Sequence, residues 1–405
     1  MLATPLRKGL TPWSHGRTAP AQAPGEFSSP LQADILIVGA GITGAFLAEI
    51  FSRAGKKVIV VDRNQPQTAS TMASSAMLLW EIDAPLSELG ARLGHEKAVQ
   101  VYQASVQAVQ YIAGLAGELN LSCTFTPRNT LYLEGDKLFG KAFRDEFALR
   151  RKADLPCEFV EAGEVARNYG LPPRAAMRSS GNAEADPVAL ARELLQAAIA
   201  RGAKIISPAD VTSFDFEKNK VYARTEEGLE IIAGTLLLAT GYDIPTFVKA
   251  TRHQIVSTYA LCTAPQEKFW PDRDLIWEAA DPYFYMRTTP EGRILIGGED
   301  EEISDASARD ALMEQKTKAL RDKLRMLQPQ ADLQIDYQWS AFFGVTEDSL
   351  PMIGPVPGFP NAYAAYGYGG NGITFSALAA QILRDQVLGL ESRIACRDAF
   401  APDRA

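Results

Sequence analysis

The spacing of hydrophobic and polar positions predicts a chain that alternates strands and helices. Apolar residues recur with a helical period in four stretches, which are Leu86 to Ala116, Pro187 to Ala200, Ala306 to Leu327 and Ile373 to Val387. Short apolar runs between turn residues predict strands at Lys204 to Ile206, Lys220 to Arg224, Thr235 to Ala239, Ile255 to Thr263, Tyr283 to Arg287 and Ile294 to Ile296. We therefore expect an α/β protein, or an α/β and α+β composite.

The segment from Asp34 to Asp62 predicts one βαβ unit. An apolar strand leads into the pattern Gly-x-Gly-x-x-Gly, an apolar-periodic helix follows, and a second strand, Val58 to Val61, ends at the acidic residue. This order is typical of dinucleotide-binding units. The alternative is an ordinary βα turn that is rich in glycine.

Each glycine of this turn has a physical role. Gly39 permits the tight turn, Gly41 lets a pyrophosphate approach the N–H groups at the helix N-terminus, and Gly44 lets the helix pack on the strand. Asp62 is placed to accept hydrogen bonds from ribose hydroxyls. The predicted adenine dinucleotide site also includes Ile42, Thr43 and Arg63.

Two later glycine motifs narrow the identity of the cofactor. The strand Thr235 to Ala239 ends in small residues, Thr240 and Gly241, which let the backbone pass close to a large group. The run Tyr366 to Gly372 opens the last long helix. Unpaired N–H groups and the dipole at such a helix end suit the negative charge of a reduced flavin ring. A plain strand end and a structural loop are the alternatives.

Composition and charge exclude several classes of protein. The chain has 405 residues and a formal net charge of -8, which gives no electrostatic reason to bind nucleic acid or anionic membrane. No stretch is long and apolar enough to span a bilayer. The four cysteines and three histidines form no metal-ligand pattern, which favours reduced thiols and a cytoplasmic protein. Residues 1–30 are expected to form an extended arm over the fold, with Trp13 as its anchor, or to be partly disordered.

These motifs together resemble the FAD-dependent amine and amino-acid oxidoreductases, a superfamily that includes D-amino-acid oxidase, glycine oxidase, sarcosine oxidase and γ-glutamylputrescine oxidase. The resemblance runs from residue 34 to about 390 and implies a Rossmann-like FAD-binding domain and a second domain built on a large antiparallel sheet. We expect the arm at 1–30, the FAD-binding domain at 31–88, 181–247 and 335–405, and the substrate domain at 89–180 and 248–334.

The resemblance also implies cofactor contacts. By motif position, the expected FAD residues after the βαβ unit are Ser70, Thr71, Ser74, Ser75, Met77, Val211, Gly344, Gly369, Gly370, Asn371, Gly372, Ile373 and Thr374. Some relatives carry a flavin-linked histidine where this chain has Ala73, and others a linking cysteine near Phe343 and Gly344. The resemblance therefore implies that FAD is not covalently bound.

The substrate residues are predicted from strand alternation. Tyr283, Tyr285 and Arg287 fall on one face of their strand, and a guanidinium beside phenols is a suitable clamp for a carboxylate. The alternative is that Arg287 forms a salt bridge with Glu299 or Asp300.

Three further candidates are weaker. Trp80, with Glu81 and Asp83, either faces the pocket or packs in the core. His253 is expected at the surface, and Lys249 is a poor motif match to the lysine that activates oxygen in some sarcosine oxidases.

The implied reaction follows from the cofactor. A neutral amine held close to flavin N5 transfers a hydride and becomes an imine. The reduced flavin then passes its electrons to oxygen or to another acceptor. Two alternatives remain open: a dehydrogenase that oxidises a C–O bond of a hydroxy acid or polyol phosphate, and an FAD-binding subunit without turnover.

Overall fold

The computed structural model describes residues 6–16, 18–250 and 252–404. Its strands are β1 (Arg7–Leu10), β2 (Leu31–Val38), β3 (Val58–Val61), β4 (Met77–Leu78), β5 (Thr126–Leu133), β6 (Cys157–Val160), β7 (Ala176–Glu184), β8 (Lys204–Ile206), β9 (Val211–Glu217), β10 (Lys220–Thr225), β11 (Glu230–Leu238), β12 (His253–Thr263), β13 (Leu275–Glu278), β14 (Phe284–Thr288), β15 (Ile294–Glu301), β16 (Ile335–Thr346), β17 (Met352–Pro355) and β18 (Ala362–Tyr366). Its α-helices are α1 (Ile42–Arg53), α2 (Ser70–Ala73), α3 (Leu86–Leu93), α4 (His95–Glu118), α5 (Gly140–Lys152), α6 (Ala162–Tyr169), α7 (Pro187–Ala200), α8 (Ala306–Ala311), α9 (Met313–Leu327) and α10 (Gly372–Leu388).

One sheet has the order β17-β18-β11-β2-β3-β8, with β10 and β9 attached to β11. The neighbours from β18 to β8 are parallel, and β17 is antiparallel. The central strands are buried on both faces, which explains their continuous Val, Ile and Leu runs. Helices α1, α7 and α10 share one hydrophobic core against this sheet. The sheet and its helices confirm the predicted Rossmann-like fold.

The second sheet has the order β1-β16-β12-β15-β14-β13-β5-β7-β4, with β6 on β7. All its pairs are antiparallel except β13 with β5. One face packs on α9 through Leu320, Leu324 and Leu327. The other face looks toward the dinucleotide sheet and carries the side chains described below.

The structure differs from the sequence prediction in several elements. The helical stretch from Leu86 is interrupted at Gly94, whose φ of +85° ends α3 before α4 begins, and the stretch from Ala306 is interrupted at Leu312. The strand Ile335–Thr346 pairs with β12 in the antiparallel sheet. The predicted FAD-binding segment 335–405 is therefore too long at its start, and its first strand in the dinucleotide sheet is β17.

The N-terminal arm is part of the antiparallel sheet. Strand β1 pairs with β16, with Arg7 opposite Ala341 and Leu10 opposite Gln338. Beyond this strand, Trp13 is 5% exposed, and its indole N–H donates a hydrogen bond of 2.9 Å to the Ser74 carbonyl. The arm thus fixes the loop that follows α2 through an anchor at Trp13.

Candidate active site

A cavity of about 550 Å³ runs between the two sheets and brings most of the predicted cofactor residues together. The predicted residues that line it are Gly39, Gly41, Ile42, Thr43, Asp62, Arg63, Ser70, Thr71, Ser74, Ser75, Met77, Val211, Thr240, Gly241, Gly369, Gly370, Asn371, Gly372 and Ile373. Segments far apart in the chain therefore meet around one elongated space.

Three predicted cofactor residues do not line the cavity. Gly44 lies beneath the glycine turn, where an added Cβ would be 1.8 Å from the Gly39 carbonyl oxygen. Gly344 lies next to the lining residue Phe343, and a Cβ on it would be 2.1 Å from Nε2 of His253. Thr374 donates a hydrogen bond of 2.9 Å to the Leu79 carbonyl. These residues shape the walls of the cavity.

The glycine turn leaves open space at the N-terminus of α1. Gly39 has a φ of +110°, and a Cβ there would be 2.3 Å from the Ala239 carbonyl oxygen. A Cβ on Gly41, in contrast, would have only the Thr71 hydroxyl within contact range, at 3.2 Å. Gly41 is the N-cap of α1 and provides no side-chain cap. The turn and helix end therefore form a cradle that an anionic group fits.

Asp62 lies where β3 ends and is held by two backbone N–H groups. Its Oδ2 accepts a hydrogen bond from Ala40 at 2.6 Å, and its Oδ1 accepts one from Asn64 at 2.8 Å. Burial raises the pKa of Asp62. Beside it, Arg63 forms an ion pair with Asp243 across the cavity rim. Together with the α1 cradle, this end of the cavity fits the adenosine and pyrophosphate of FAD.

The other end of the cavity is closed by the loop before α10. The Gly370 N–H donates to Oδ2 of Asp83 at 2.9 Å. The Asn371 side-chain amide donates to the Leu79 and Glu81 carbonyls at 3.1 and 2.7 Å. No side chain caps the N-terminus of α10. The segment 79–83 thus holds a second helix N-terminus at the cavity wall.

The predicted tyrosines lie in this part of the cavity, which we call the ring end. Both Tyr283 and Tyr285 line it, with ring centroids 6.2 Å apart. A Cβ on Gly297 would be 2.2 Å from the Tyr285 hydroxyl, so the tyrosine lies flat over the neighbouring strand β15. Trp277 of β13 also lines the ring end and stacks on Tyr132 with centroids 3.9 Å apart.

Arg287 is not in the cavity, so its predicted role as a carboxylate clamp is corrected. It is fully buried, lies 3.2 Å from Glu184 in an ion pair, and donates to the Ala185 carbonyl at 3.2 Å. The guanidinium carbon lies 5.3 Å from the centre of the Trp13 ring. Strand alternation correctly placed Arg287 on the same face of β14 as Tyr285. Trp13 of the N-terminal arm, however, occupies the space next to the guanidinium.

The partners suggested for Arg287 in the alternative are also different from those observed. Glu299 pairs with Lys316 at 3.4 Å, and Glu184 is the acid beside Arg287. Because Glu184 lies on β7 and far away in sequence, periodicity within one strand gives no information about this pair.

Trp80 packs in the core and does not reach the cavity. It is fully buried, its indole N–H donates to the Ser180 carbonyl at 2.7 Å, and its ring packs edge-on against Tyr102. Lys249 and His253 are also absent from the cavity lining. His253 is half-buried against Tyr366, and burial lowers its pKa.

The sequence analysis missed several residues of the ring end. Trp277 and Thr258 line it, on strands whose cavity-facing positions depend on the sheet order. Asp83 was considered only together with Trp80, and Asp300 only as a partner of Arg287. Acids that follow a buried glycine pair near the end of a strand, as in Gly297-Gly298-Glu299-Asp300, are a pattern that would have drawn attention to Asp300.

Asp83 and Asp300 are both carboxylates whose pKa is raised by burial. Burial raises the pKa of Asp300 to about 6, and the Thr258 and Tyr283 hydroxyls counteract this in part. The Asp83 carboxylate adds repulsion. Asp300 does not itself line the cavity, and it reaches it through the hydroxyls of the lining residues Thr258 and Tyr283. A carboxylate with a perturbed pKa next to a cavity is a candidate functional group.

Other chemistry receives no support in the described ranges 6–16, 18–250 and 252–404. They contain no cluster of His, Cys, Asp and Glu that would hold a metal ion. Within the same ranges no helix is long and apolar enough to cross a membrane. Cys123, Cys157, Cys262 and Cys396 are buried free thiols.

Comparison with known proteins identifies the family. Residues 34–386 match the family described as FAD dependent oxidoreductase. The chain is 20% identical to the probable oxidoreductase OrdL of Haemophilus influenzae, covering 89% of this chain and 84% of the relative. It is 23% identical to glycine oxidase of Bacillus licheniformis, covering 92% and 97%. The crystal structure of glycine oxidase from Geobacillus kaustophilus superposes with a TM-score of 0.75 at 18% identity, covering 93% and 100%.

These relationships agree with the fold and with the cavity. They favour oxidation of a C–N bond over the C–O alternative and over a subunit without turnover. The match over most of its length makes this chain a member of the FAD-dependent oxidoreductase family and an FAD-dependent enzyme.

Proposed function

We propose that this enzyme binds FAD without a covalent link and oxidises the C–N bond of an amine or amino acid. One observation carries the proposal: a single cavity connects the glycine turn at α1 with the tyrosines of the antiparallel sheet. The relative named glycine oxidase supports an amine as the electron donor.

The residues that would hold FAD follow from the two ends of the cavity. The α1 N-terminus at Gly41 receives the pyrophosphate, and Asp62 accepts hydrogen bonds from the ribose. The N-terminus of α10, after Gly372, offers positive dipole to the negative charge of the reduced ring. When bound, FAD supplies the N5 atom that accepts a hydride from the carbon next to the amine nitrogen.

The protein contributes position and shielding at the ring end. Tyr283, Tyr285 and Trp277 form aromatic walls that exclude water from the space beside the flavin. This arrangement orients the substrate carbon and protects the imine product until it is released to water. Reoxidation by oxygen or by another acceptor completes the cycle.

The absence of a covalent link is supported by the lining of the cavity. Among the described lining residues there is no cysteine or histidine, and Ala73 and Phe343 stand at the positions expected for a link. We therefore expect acid precipitation to leave the yellow colour in the supernatant, as FAD and not as FMN. Chromatography of the supernatant measures this, and flavin that remains in the protein pellet would contradict it.

C–N oxidation is tested by reducing the bound flavin without oxygen. We expect the flavin absorbance near 450 nm, roughly where oxidised flavins absorb, to bleach with members of a panel of amines and amino acids. Hydroxy acids and polyol phosphates are expected to leave it unchanged. Bleaching by a hydroxy acid alone would instead support C–O oxidation, and no bleaching by any compound would support a subunit without turnover.

A further inference from the structure

The ring end of the cavity carries acidic side chains. The Asp83 side chain lines it, and the Asp300 carboxylate lies beside the hydroxyls of Thr258 and Tyr283, which also line it. The two acids are close enough for each to repel a charge on the other. In the part of the chain that the structure describes, one basic residue lines the cavity, and it is at the dinucleotide end.

The basic groups near the acids are already engaged. Arg63, the basic lining residue, pairs with Asp243. Lys316, which acts on Asp300, lies 2.7 Å from Glu301 and 3.4 Å from Glu299. The protein therefore leaves the carboxylates of the ring end without a matched positive charge.

The polar atoms of this region are also incompletely bonded. Oδ1 of Asp300 is buried and has no hydrogen-bond partner. The Trp277 side chain, 8% exposed, has an indole N–H without a partner. A buried polar atom that lacks a partner costs free energy unless a ligand or water satisfies it. The Asp300 oxygen needs a donor, such as an ammonium group, whereas the Trp277 N–H needs an acceptor and is not evidence for a cation.

The aromatic walls of the ring end are suited to a positively charged ligand. Tyr283, Tyr285 and Trp277 present aromatic side chains to the same space, and aromatic faces attract cations. Carboxylates combined with aromatic rings bind ammonium groups and repel carboxylates. The arginine that would hold an α-carboxylate is buried under Trp13 instead.

We propose that the ring end recognises an amine substrate that carries a second cationic nitrogen, such as a diamine, and does not bind an α-carboxylate. This inference rests on the proposed C–N oxidation and specifies the substrate class for it. One nitrogen is the site of oxidation, and the second ammonium group lies between Asp83, Asp300 and the aromatic walls. The chemistry at the first nitrogen is that of the proposed function: FAD, when bound, would accept the hydride, and hydrolysis of the imine would give a carbonyl compound and the released amine or ammonia.

The experiment compares matched substrates in the FAD-loaded enzyme without oxygen. The pair is 1,4-diaminobutane and 1-aminobutane, each also offered as its N-methyl form, with glycine and alanine as carboxylate-bearing amines. Stopped-flow absorbance gives the flavin reduction rate and the apparent Kd. We expect the diamine to bind about 10-fold to 100-fold more tightly than the monoamine, the range for a charge-assisted hydrogen bond.

Two variants locate the effect. Asp83→Asn and Asp300→Asn should each reduce the ratio of the monoamine Kd to the diamine Kd by about 10-fold, whatever each substitution does to amine binding in general. Asp215→Asn, which removes an exposed acid on β9, is the matched control and should keep the wild-type preference. If one variant fails to fold or to retain FAD, the other variant still tests the proposal. The comparison of diamine with monoamine in the wild-type enzyme needs neither variant.

The possible outcomes are distinct. If glycine, alanine or the monoamine reduces the flavin as well as the diamine does, the cationic substrate is wrong and C–N oxidation stands. If Asp83→Asn slows every substrate equally and shifts the flavin midpoint potential, Asp83 acts on the cofactor loop through Gly370, and its role in substrate binding is overturned. If no amine reduces the flavin, the proposed function fails and this inference fails with it.

Discussion

Gly41→Val is expected to give a folded protein that carries no FAD. In the structure, a Cβ at this position would meet only the Thr71 hydroxyl, at 3.2 Å, which accepts a hydrogen bond from the Ile42 N–H and would have to move by only a few tenths of an ångström. The protein itself therefore tolerates the larger residue. The branched side chain would, however, occupy the space at the α1 N-terminus that a pyrophosphate needs. The flavin-to-protein ratio, from absorbance after purification and after addition of free FAD, measures the loss.

Two matched valine substitutions separate this effect from misfolding. Gly44→Val should prevent folding, because its Cβ would be 1.8 Å from the Gly39 carbonyl oxygen, a backbone atom. Gly114→Val, in α4 with no atom within 4 Å of an added Cβ, should retain both fold and FAD. Full FAD content in Gly41→Val would show that the pyrophosphate does not lie at this turn.

Arg287→Ala is expected to destabilise the protein and to leave substrate binding nearly unchanged. Removing one partner of a buried ion pair leaves an uncompensated charge and costs about 3 to 5 kcal/mol. Here Glu184 keeps a second partner, Arg128 at 2.9 Å, which places the cost at the lower part of that range. The substitution also removes the group on which the Trp13 ring lies. Thermal unfolding should occur several degrees lower, while the KM for the preferred amine stays within about 2-fold, less than the factor that loss of one hydrogen bond produces.

The control is Arg325→Ala, which removes an exposed ion pair with Asp322 on α9. Such surface pairs contribute about 0 to 1 kcal/mol, so its unfolding should resemble the wild type. A large rise in KM for Arg287→Ala without loss of stability would restore the carboxylate clamp and would also contradict a cationic substrate.

The parts that the sequence predicted well are those set by local geometry. The turn from Gly39 to Gly44 has a fixed order of strand, glycines and helix, because Gly39 and Gly44 each lie against a backbone carbonyl and Gly41 leaves the helix N-terminus open. The helix Pro187–Ala200 was predicted with its observed bounds, since Asp186 caps it through two backbone N–H groups.

The ring end could not be predicted in the same way, because its residues are brought together by sheet order. The alternation of β14 gives the direction of Arg287 but not what lies in front of it. Trp13 covers it from a segment distant in the chain. Asp83, which accepts a hydrogen bond from the loop before α10, and Asp300 of β15 likewise interact only in the folded chain. Contacts between such distant segments produce no characteristic residue spacing that could be recognised in the sequence.

The interleaving of the two sheets along the chain has a consequence for biosynthesis. The dinucleotide sheet places β11 between β2 and β18, and the cavity wall is completed by the loop that begins at Gly369. Neither sheet is a contiguous segment, so a ribosome-bound chain that ends before this loop has no complete site for FAD. Cofactor loading is therefore expected only after the segment that contains Gly369 to Gly372 has left the ribosome, and a shorter nascent chain competes for no flavin.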